Sequence, residues 1–243
     1  MPPQRRSPEL TPHFSLVIPC HNEEESLEDL IQKCQSLTQG GLSEVILVEN
    51  GSTDNSWELM SDLVRGNEYL RVERVQENRG YGFGIISGLR TARGRVVGWT
   101  HADLQTDPRD ALSGFALFTR FGDEIFVKGQ RRGRPITDSA FTVGMSLFET
   151  VTLRSRFWDI NAQPTIFSKR FFQTWRNPPL DFSLDLYAYY QARKARLRVF
   201  RFPVEFRQRQ FGQSHWNVNW KQKRKFVLRT MDYSRNLRRS IRK

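Results

Sequence analysis

The segment GWTHADLQTDP, residues 98–108, closes an apolar run with His101, Asp103, Gln105 and Asp107 at alternate positions. In extended chain, alternate side chains share one side. A carboxylate, an imidazole and an amide oxygen gathered in this way can hold Mg2+ or Mn2+ when a diphosphate supplies the remaining oxygens. Pro108 and the polar character of the segment indicate that the chain is already turning. Asp107, directly before Pro108, is placed to cap a helix beginning in PRDALSGF, and its position favours that role. Asp103 has no such alternative.

Three further segments hold residues of chemical interest. VENGSTDNSWELM (48–60) reads equally as a ligand loop or as turn and capping chemistry before a helix. NRGYGFGIISG (78–88) approaches a dinucleotide fingerprint, but Ser87 stands where the third glycine belongs and the segment follows a third strand rather than a first. RQRQFGQSHWN (207–217) combines Arg207, Arg209, Gly212, Ser214 and His215 in a donor-rich stretch suited to phosphate, or to plain solvation. No GxxxxGK[ST] loop occurs, which disfavours an ordinary ATPase or GTPase.

The elements that must position these residues alternate. Strands are expected at 14–19, 44–49, 70–75, 95–100 and 124–129, with helices at 22–37, 52–64, 82–92 and 138–153. After these come DINAQPTIFSKR, a helical DFSLDLYAYYQARKA and a strand LRVFRFPVEF. Such alternation implies an α/β fold around a mostly parallel sheet with helices on both faces, and runs such as SLVIP and VILV suit strands covered on each side. Ligands of these sheets bind beyond the carboxyl ends of the strands. There PCHNEEES, VENGSTDNS, NRGYGFG and THADLQTD converge, all polar or glycine-rich.

The composition, 38% apolar and 12% aromatic with charges of both signs, is that of a folded globular chain of 243 residues. Of the +12 net charge, +9 falls between Lys221 and Lys243, where ten Lys or Arg face only Asp232. The basic excess therefore belongs to the tail. Aromatics are not interleaved with it as stacking platforms, which disfavours nucleic-acid binding. Two cysteines, Cys20 and Cys34, are too few for a disulfide framework and point to a reducing, cytoplasmic setting. No signal peptide or membrane-spanning run is evident, so membrane contact is expected to be peripheral. In the tail, Phe226, Thr230, Tyr233, Leu237 and Ile241 recur at helical spacing opposite a basic face, the pattern of a helix lying on an anionic membrane, with a solvated, partly disordered basic tail as the alternative. The division expected is a loose arm at 1–12, a domain at 13–218 and a basic amphipathic tail at 219–243.

Taken in order, SLVIPCHNEEESL, VILVENGSTDNSWELM, NRGYGFGIISGLRTARG, ADLQTDP, DINAQPTIFSKR and the stretch from FSLDL through RFPVEFRQRQFGQSHW resemble the inverting family 2 glycosyltransferases. The resemblance is nearest to the branch that transfers sugars to polyprenyl or dolichol phosphate, and it runs from about Phe14 to about Trp216. It implies a GT-A, Rossmann-like nucleotide-diphospho-sugar transferase fold, a nucleotide-diphosphate sugar donor, and a lipid-phosphate or glycan acceptor. It further implies that Pro19, His21, Asn22 and Glu23 line the base and ribose pocket with Glu49 and Asn50, and that Arg79 and Gly80 approach the donor. Asp103 becomes the metal-binding carboxylate, and Gln105 faces the donor phosphate. Two departures stand out. Glu49-Asn50 replaces a usual pair of aspartates, leaving the donor base open, and His101 replaces the first aspartate of an Asp-Ala-Asp motif, which shifts metal preference or impairs activity. A catalytically impaired nucleotide-sugar-binding relative is thus one alternative, and a basic nucleic-acid-binding protein, disfavoured by the charge distribution, is the other.

An inverting transfer to a lipid phosphate needs no base, because the acceptor is already an anion; cations that position it matter instead. Arg131, Arg132 and Arg134, with Arg209 and Ser214, are the candidates, Arg131 foremost. If the acceptor is a sugar hydroxyl, Asp185 is the candidate base and Asp181 the second.

Overall fold

The computed structural model describes residues 11–133, 136–209 and 220–241. Seven strands form one sheet in the order β3-β2-β1-β4-β6-β5-β7. They are β1 (Phe14–Cys20), β2 (Ser43–Asn50), β3 (Leu70–Val75), β4 (Val96–Trp99), β5 (Ile125–Arg132), β6 (Thr165–Ser168) and β7 (Arg198–Glu205). The first four are parallel, with Val17 opposite Ile46 and Trp99. β6 runs antiparallel to both β4 and β5, and β7 is parallel to β5.

The β1 and β2 runs are apolar throughout because alternate residues enter cores on opposite faces of the sheet. Leu16, Ile18, Val45 and Leu47 pack with α1 (Leu27–Thr38), α2 (Ser56–Leu63) and α4 (Asp110–Phe121). Val17, Ile46 and Val48 pack with α3 (Tyr81–Thr91), α6 (Lys169–Phe172) and α7 (Leu184–Lys194). The helices α5 (Ile136–Leu153) and α8 (Trp220–Ile241) lie side by side. Leu153, Tyr233 and Leu237 join the second core. Cys20 and Cys34 are buried free thiols.

Several sequence expectations shift. The first helix starts at Leu27, not Asn22, because Asn22 adopts φ 55° and Glu24–Ser26 form a short 3-10 turn. The second starts at Ser56, since Asp54 Oδ1 accepts the Ser56 N–H at 3.1 Å and turns the chain first. β5 extends through Arg132, so Arg131 and Arg132 are strand residues rather than loop residues. The short antiparallel β6 was hidden inside DINAQPTIFSKR. The largest correction concerns the tail. Tyr233 and Leu237, assigned by periodicity to a membrane, instead pack on the domain.

Candidate functional site

Between β1 and β4 the chain order of the sheet reverses, which opens a crevice beyond their carboxyl ends. His21 follows β1, and its Nδ1 lies 3.1 Å from the carbonyl oxygen of Asn50 at the end of β2. The next residue, Asn22, accepts the Thr53 N–H through Oδ1 at 2.8 Å and donates its own N–H to Ser52 Oγ at 3.1 Å. Glu49 Oε1 accepts the Ser52 N–H at 2.5 Å. These bonds lock the NGSTDNS loop to the PCHNEE loop, so much of the former's polar chemistry is turn chemistry.

Asn50 is buried; its Nδ2 donates to the Gly80 carbonyl at 3.1 Å, while its Oδ1 has no partner among the described residues. Gly80 takes φ 105°, and a Cβ there would come within 2.5 Å of the Leu180 carbonyl oxygen. Gly84 packs on Pro19 and Asn50. The glycines of NRGYGFG thus let α3 and the 179–181 segment close on the strand ends. Arg79 is exposed, its guanidinium 4.5 Å from the Phe83 ring centre.

In the HADLQTD segment the alternation is real. His101, Asp103, Gln105 and Asp107 are half-buried, and the residues between them are buried. Asp103 Oδ1 accepts the Gln105 N–H at 3.2 Å, and Gln105 is anchored to Arg207 by its Nε2 at 3.3 Å and its carbonyl at 2.8 Å. The His101 ring stacks on Tyr81, centroids 5.5 Å apart. Asp107 Oδ1 accepts the Arg109 N–H at 2.9 Å, and the Arg109 guanidinium holds the same carboxylate below its ordinary range. Asp107 is therefore committed to the turn that starts α4. Glu23 pairs with Arg209 at 3.2 Å. Burial raises the Glu23 carboxyl, Arg209 opposes the rise and the Asp103 carboxylate adds to it.

Among the described residues no three His, Cys, Asp or Glu side chains converge as metal ligands. The protein offers one carboxylate, Asp103, with His101 and Gln105 in the same turn. Such an open set fits a hard divalent cation whose other ligands come from a diphosphate.

A second polar cluster lies beneath. Asp185, at the start of α7, is 2% exposed. Its Oδ1 accepts Gln163 Nε2 at 2.7 Å and sits 3.7 Å from Nζ of the fully buried Lys128. Gln163 Nε2 also reaches the Tyr81 hydroxyl at 3.3 Å, joining this cluster to the ring that carries His101. Burial raises the Asp185 carboxyl, and Lys128 is the chief opposing influence. Burial lowers Lys128 to about 8, against the pull of Asp185. Asp181 Oδ1 accepts the Ser183 N–H at 2.8 Å and so caps the approach to α7.

Arg131 forms a two-pronged pair with Asp159, Nε to Oδ2 at 3.1 Å and Nη2 to Oδ1. Beside it is a cavity of about 50 Å³ lined by Arg131, Asp159, Asn161, Ser146, Ser183 and Thr230. Arg134 and Ser214 lie outside the described residues, as do Gly212 and His215. Sequence reasoning passed over Lys128, Gln163 and Tyr81. The signal for Lys128 was a lone cation in the otherwise apolar strand EIFVKG; Gln163 and Tyr81 carried none.

A sequence model described as Glycosyl transferase family 2 matches residues 15–185. The dodecaprenyl-phosphate galacturonate synthase of Rhizobium johnstonii is 33% identical over 130 residues, covering 50% of this chain and 36% of that protein. The dolichol-phosphate mannosyltransferase of Pyrococcus furiosus is 34% identical over 95 residues, 39% of this chain and 26% of that protein. The match thus spans about a third of these curated relatives or less. Glucosyl-3-phosphoglycerate synthase from Mycobacterium tuberculosis, solved with Mn2+, UDP-glucose and phosphoglyceric acid, superposes with a TM-score of 0.69 at 17% identity, covering 93% of this chain and 80% of that one. With its GT-A fold, the chain belongs to glycosyl transferase family 2.

Proposed function

We propose that this chain is the catalytic domain of an inverting, divalent-metal-dependent transferase that moves a sugar from a nucleotide diphosphate onto a polyprenyl-phosphate-type lipid. The observation that carries this reading is the placement of Asp103. It is a half-buried carboxylate at the crevice where the sheet order reverses, and among the described residues it bonds only within its own turn and forms no ion pair.

In this reading Asp103, with His101 and Gln105, would hold Mg2+ or Mn2+, which would supply positive charge against that of the leaving diphosphate. Pro19, His21, Asn22, Glu23, Glu49 and Asn50 bound the nucleotide pocket, and the unpartnered Asn50 Oδ1 is a ready acceptor there. Arg79, Gly80, Arg209 and Ser214 attend the donor. Arg131 faces the cavity on the acceptor side, its charge held in place by Asp159. Asp185 is enclosed by Lys128 and Gln163, which suits a positioning carboxylate better than a base that must reach a hydroxyl. That arrangement favours an acceptor already ionised, and the names of the similar proteins point the same way. The expected setting is the cytoplasmic face of a membrane. Among the described residues no helix is long and apolar enough to cross one.

The alternative, an impaired nucleotide-sugar-binding relative, is favoured by one observation: His101 is stacked on Tyr81 where the family carries an aspartate. A thermal-shift screen with UDP-, GDP-, CDP- and dTDP-sugars, each with Mg2+, Mn2+ or chelator, followed by transfer of labelled sugar to polyprenyl phosphate, separates the two. Metal-dependent stabilisation lost in Asp103→Ala, together with lipid-linked product, supports the transferase; stabilisation without product under either metal supports the relative. No stabilisation by any nucleotide sugar overturns both.

A further inference from the structure

An imidazole that holds a cation is ordinarily oriented by a hydrogen bond from its other ring nitrogen. Among the described residues, neither ring nitrogen of His101 makes such a bond. The ring is instead the end member of a column. It stacks on Tyr81 with centroids 5.5 Å apart and planes at 24°, and Tyr81 stacks in turn on Phe182 at 4.6 Å and 12°. The Arg229 guanidinium, on α8, lies 5.9 Å from the Phe182 ring centre, and its Nε is 3.6 Å from Asp181 Oδ2. A cation at the end of the column suits the electron-rich face of the last ring. The GYGFG sequence builds this arrangement. Tyr81 opens α3 between two glycines, and a Cβ at Gly80 or Gly82 would stand 2.5 Å from the Leu180 carbonyl oxygen or 2.7 Å from that of Pro179. With no Cβ at either place, the 179–181 segment comes down on α3, where the Leu180 carbonyl accepts the Phe83 N–H at 3.0 Å, and Phe182 is carried over the Tyr81 ring.

We infer that Tyr81 is a positioning residue for the metal turn: its ring, backed by Phe182 and Arg229, sets the plane of the His101 imidazole in place of the missing hydrogen bond. The stack has this role because residue 101 is a flat ring; an aspartate there offers no face to hold. The Tyr81 hydroxyl is secured separately, 3.3 Å from Gln163 Nε2, which donates to Asp185. Ring and hydroxyl are thus fixed from different sides, and their contributions can be removed one at a time. Phe182 also lines the cavity beside Arg131, so the column reaches from the metal turn to that cavity.

The inference rests on the reading of His101 and Asp103 as metal ligands, so the test carries separate arms for the two and measures binding without turnover. Free Mn2+ is counted by electron paramagnetic resonance while the full chain is titrated in the presence of UDP, GDP, CDP or dTDP, each against a protein-free blank. Wild type is expected to retain Mn2+ and Asp103→Ala to lose it. Tyr81→Phe keeps the ring and drops the hydroxyl, and is expected to stay within about twofold of wild type. Tyr81→Leu drops the ring face and is expected to weaken retention about tenfold. Phe200→Leu breaks a different stacked pair, Phe121 and Phe200 at 4.5 Å, and is expected to leave retention unchanged. Thermal melts in chelator check that each variant folds. Placed on His101→Asn, Tyr81→Leu is expected to cost less than about twofold more, because it acts through the imidazole. Should Tyr81→Leu fail to fold, Phe182→Leu is read instead, with a smaller loss in the same direction. Folded Tyr81→Leu with wild-type retention overturns the inference and leaves the metal reading standing, as does an undiminished loss on the His101→Asn background. No retention by wild type, or full retention by Asp103→Ala, overturns the metal reading and the inference with it.

Discussion

Nζ of Lys128 lies 3.7 Å from Oδ1 of Asp185, and both residues are cut off from solvent. Thr165 Oγ1 accepts from the same ammonium at 2.6 Å, and Gln163 donates to the same carboxylate at 2.7 Å. Each charge is thus compensated by its partner and by one neutral group. Removing one partner leaves the other buried and unpaired, which is costlier than removing both. Lys128→Met is expected to destabilise the fold by about 3 to 5 kcal/mol, and adding Asp185→Asn to recover much of that loss. Urea denaturation of the single and double variants reads both numbers. Equal stability of Lys128→Met and wild type contradicts the pairing.

Glu149 makes stability depend on pH. Its carboxyl oxygens are buried without a hydrogen-bond partner among the described residues, while the nearby Ser234 hydroxyl donates to the Thr230 carbonyl. Burial pushes this carboxyl up to about 7, an effect Ser234 only partly offsets. The folded chain therefore keeps a proton that the unfolded chain releases near its ordinary value of about 4.3. Between these values the folded state binds more protons, so stability falls as pH rises through that window and levels off above about 7. The loss is on the order of 3 kcal/mol. Glu149→Gln is expected to flatten this stretch of the profile and to exceed wild type at pH above 7. Denaturation midpoints collected across that range decide it.

Asp103→Asn keeps the shape of the turn but removes the charge. Under the proposed function it is expected to lower sugar transfer by roughly two to three orders of magnitude. Stability should change by less than about 1 kcal/mol, because the side chain is half-buried and, among the described residues, bonds only to Gln105. Steady-state transfer assays beside thermal melts separate a lost ligand from a lost fold. A variant that retains full rate with metal present removes Asp103 from the site.

Gly82→Ala reverses the usual helix preference. Alanine in place of a helical glycine ordinarily stabilises by about 1 kcal/mol. Here the added Cβ would stand 2.7 Å from the Pro179 carbonyl oxygen and 2.8 Å from that of Asp181. The substitution is expected to destabilise by about 1 to 3 kcal/mol. Thermal denaturation measures the sign, and a rise in melting temperature refutes the close packing of α3 against the 179–181 segment.

The parallel half of the sheet was legible because its strands are uniformly apolar and its loops polar. β3 was expected at 70–75 and spans Leu70–Val75. The spacing alone marked Asp103 as a candidate and placed Asp107 in the turn before α4, where its Oδ1 accepts the Arg109 N–H. β6 escaped because four residues, TIFS, are too few to show a period, and its antiparallel direction is set by the partners on either side. The buried cluster escaped because Lys128, Gln163 and Asp185 come from three separated segments and acquire meaning only through contact. The tail misled because its helical periodicity is genuine, yet a pattern of apolar residues does not say whether protein or lipid covers them.

The reversed direction of β6 has a consequence for how such a chain can diversify. Because β6 runs against its neighbours, the loop that feeds it, with Asp159 and Gln163, emerges at the same rim as the carboxyl ends of β4 and β5. The rim is therefore assembled from two consecutive blocks of sequence, residues 14–107 on one side and residues 125–205 on the other, meeting at Gln163 and Tyr81. Under the proposed function, mutation or recombination within the later block can replace what receives the transferred group, while the earlier block, which would grip what gives it, is inherited unchanged.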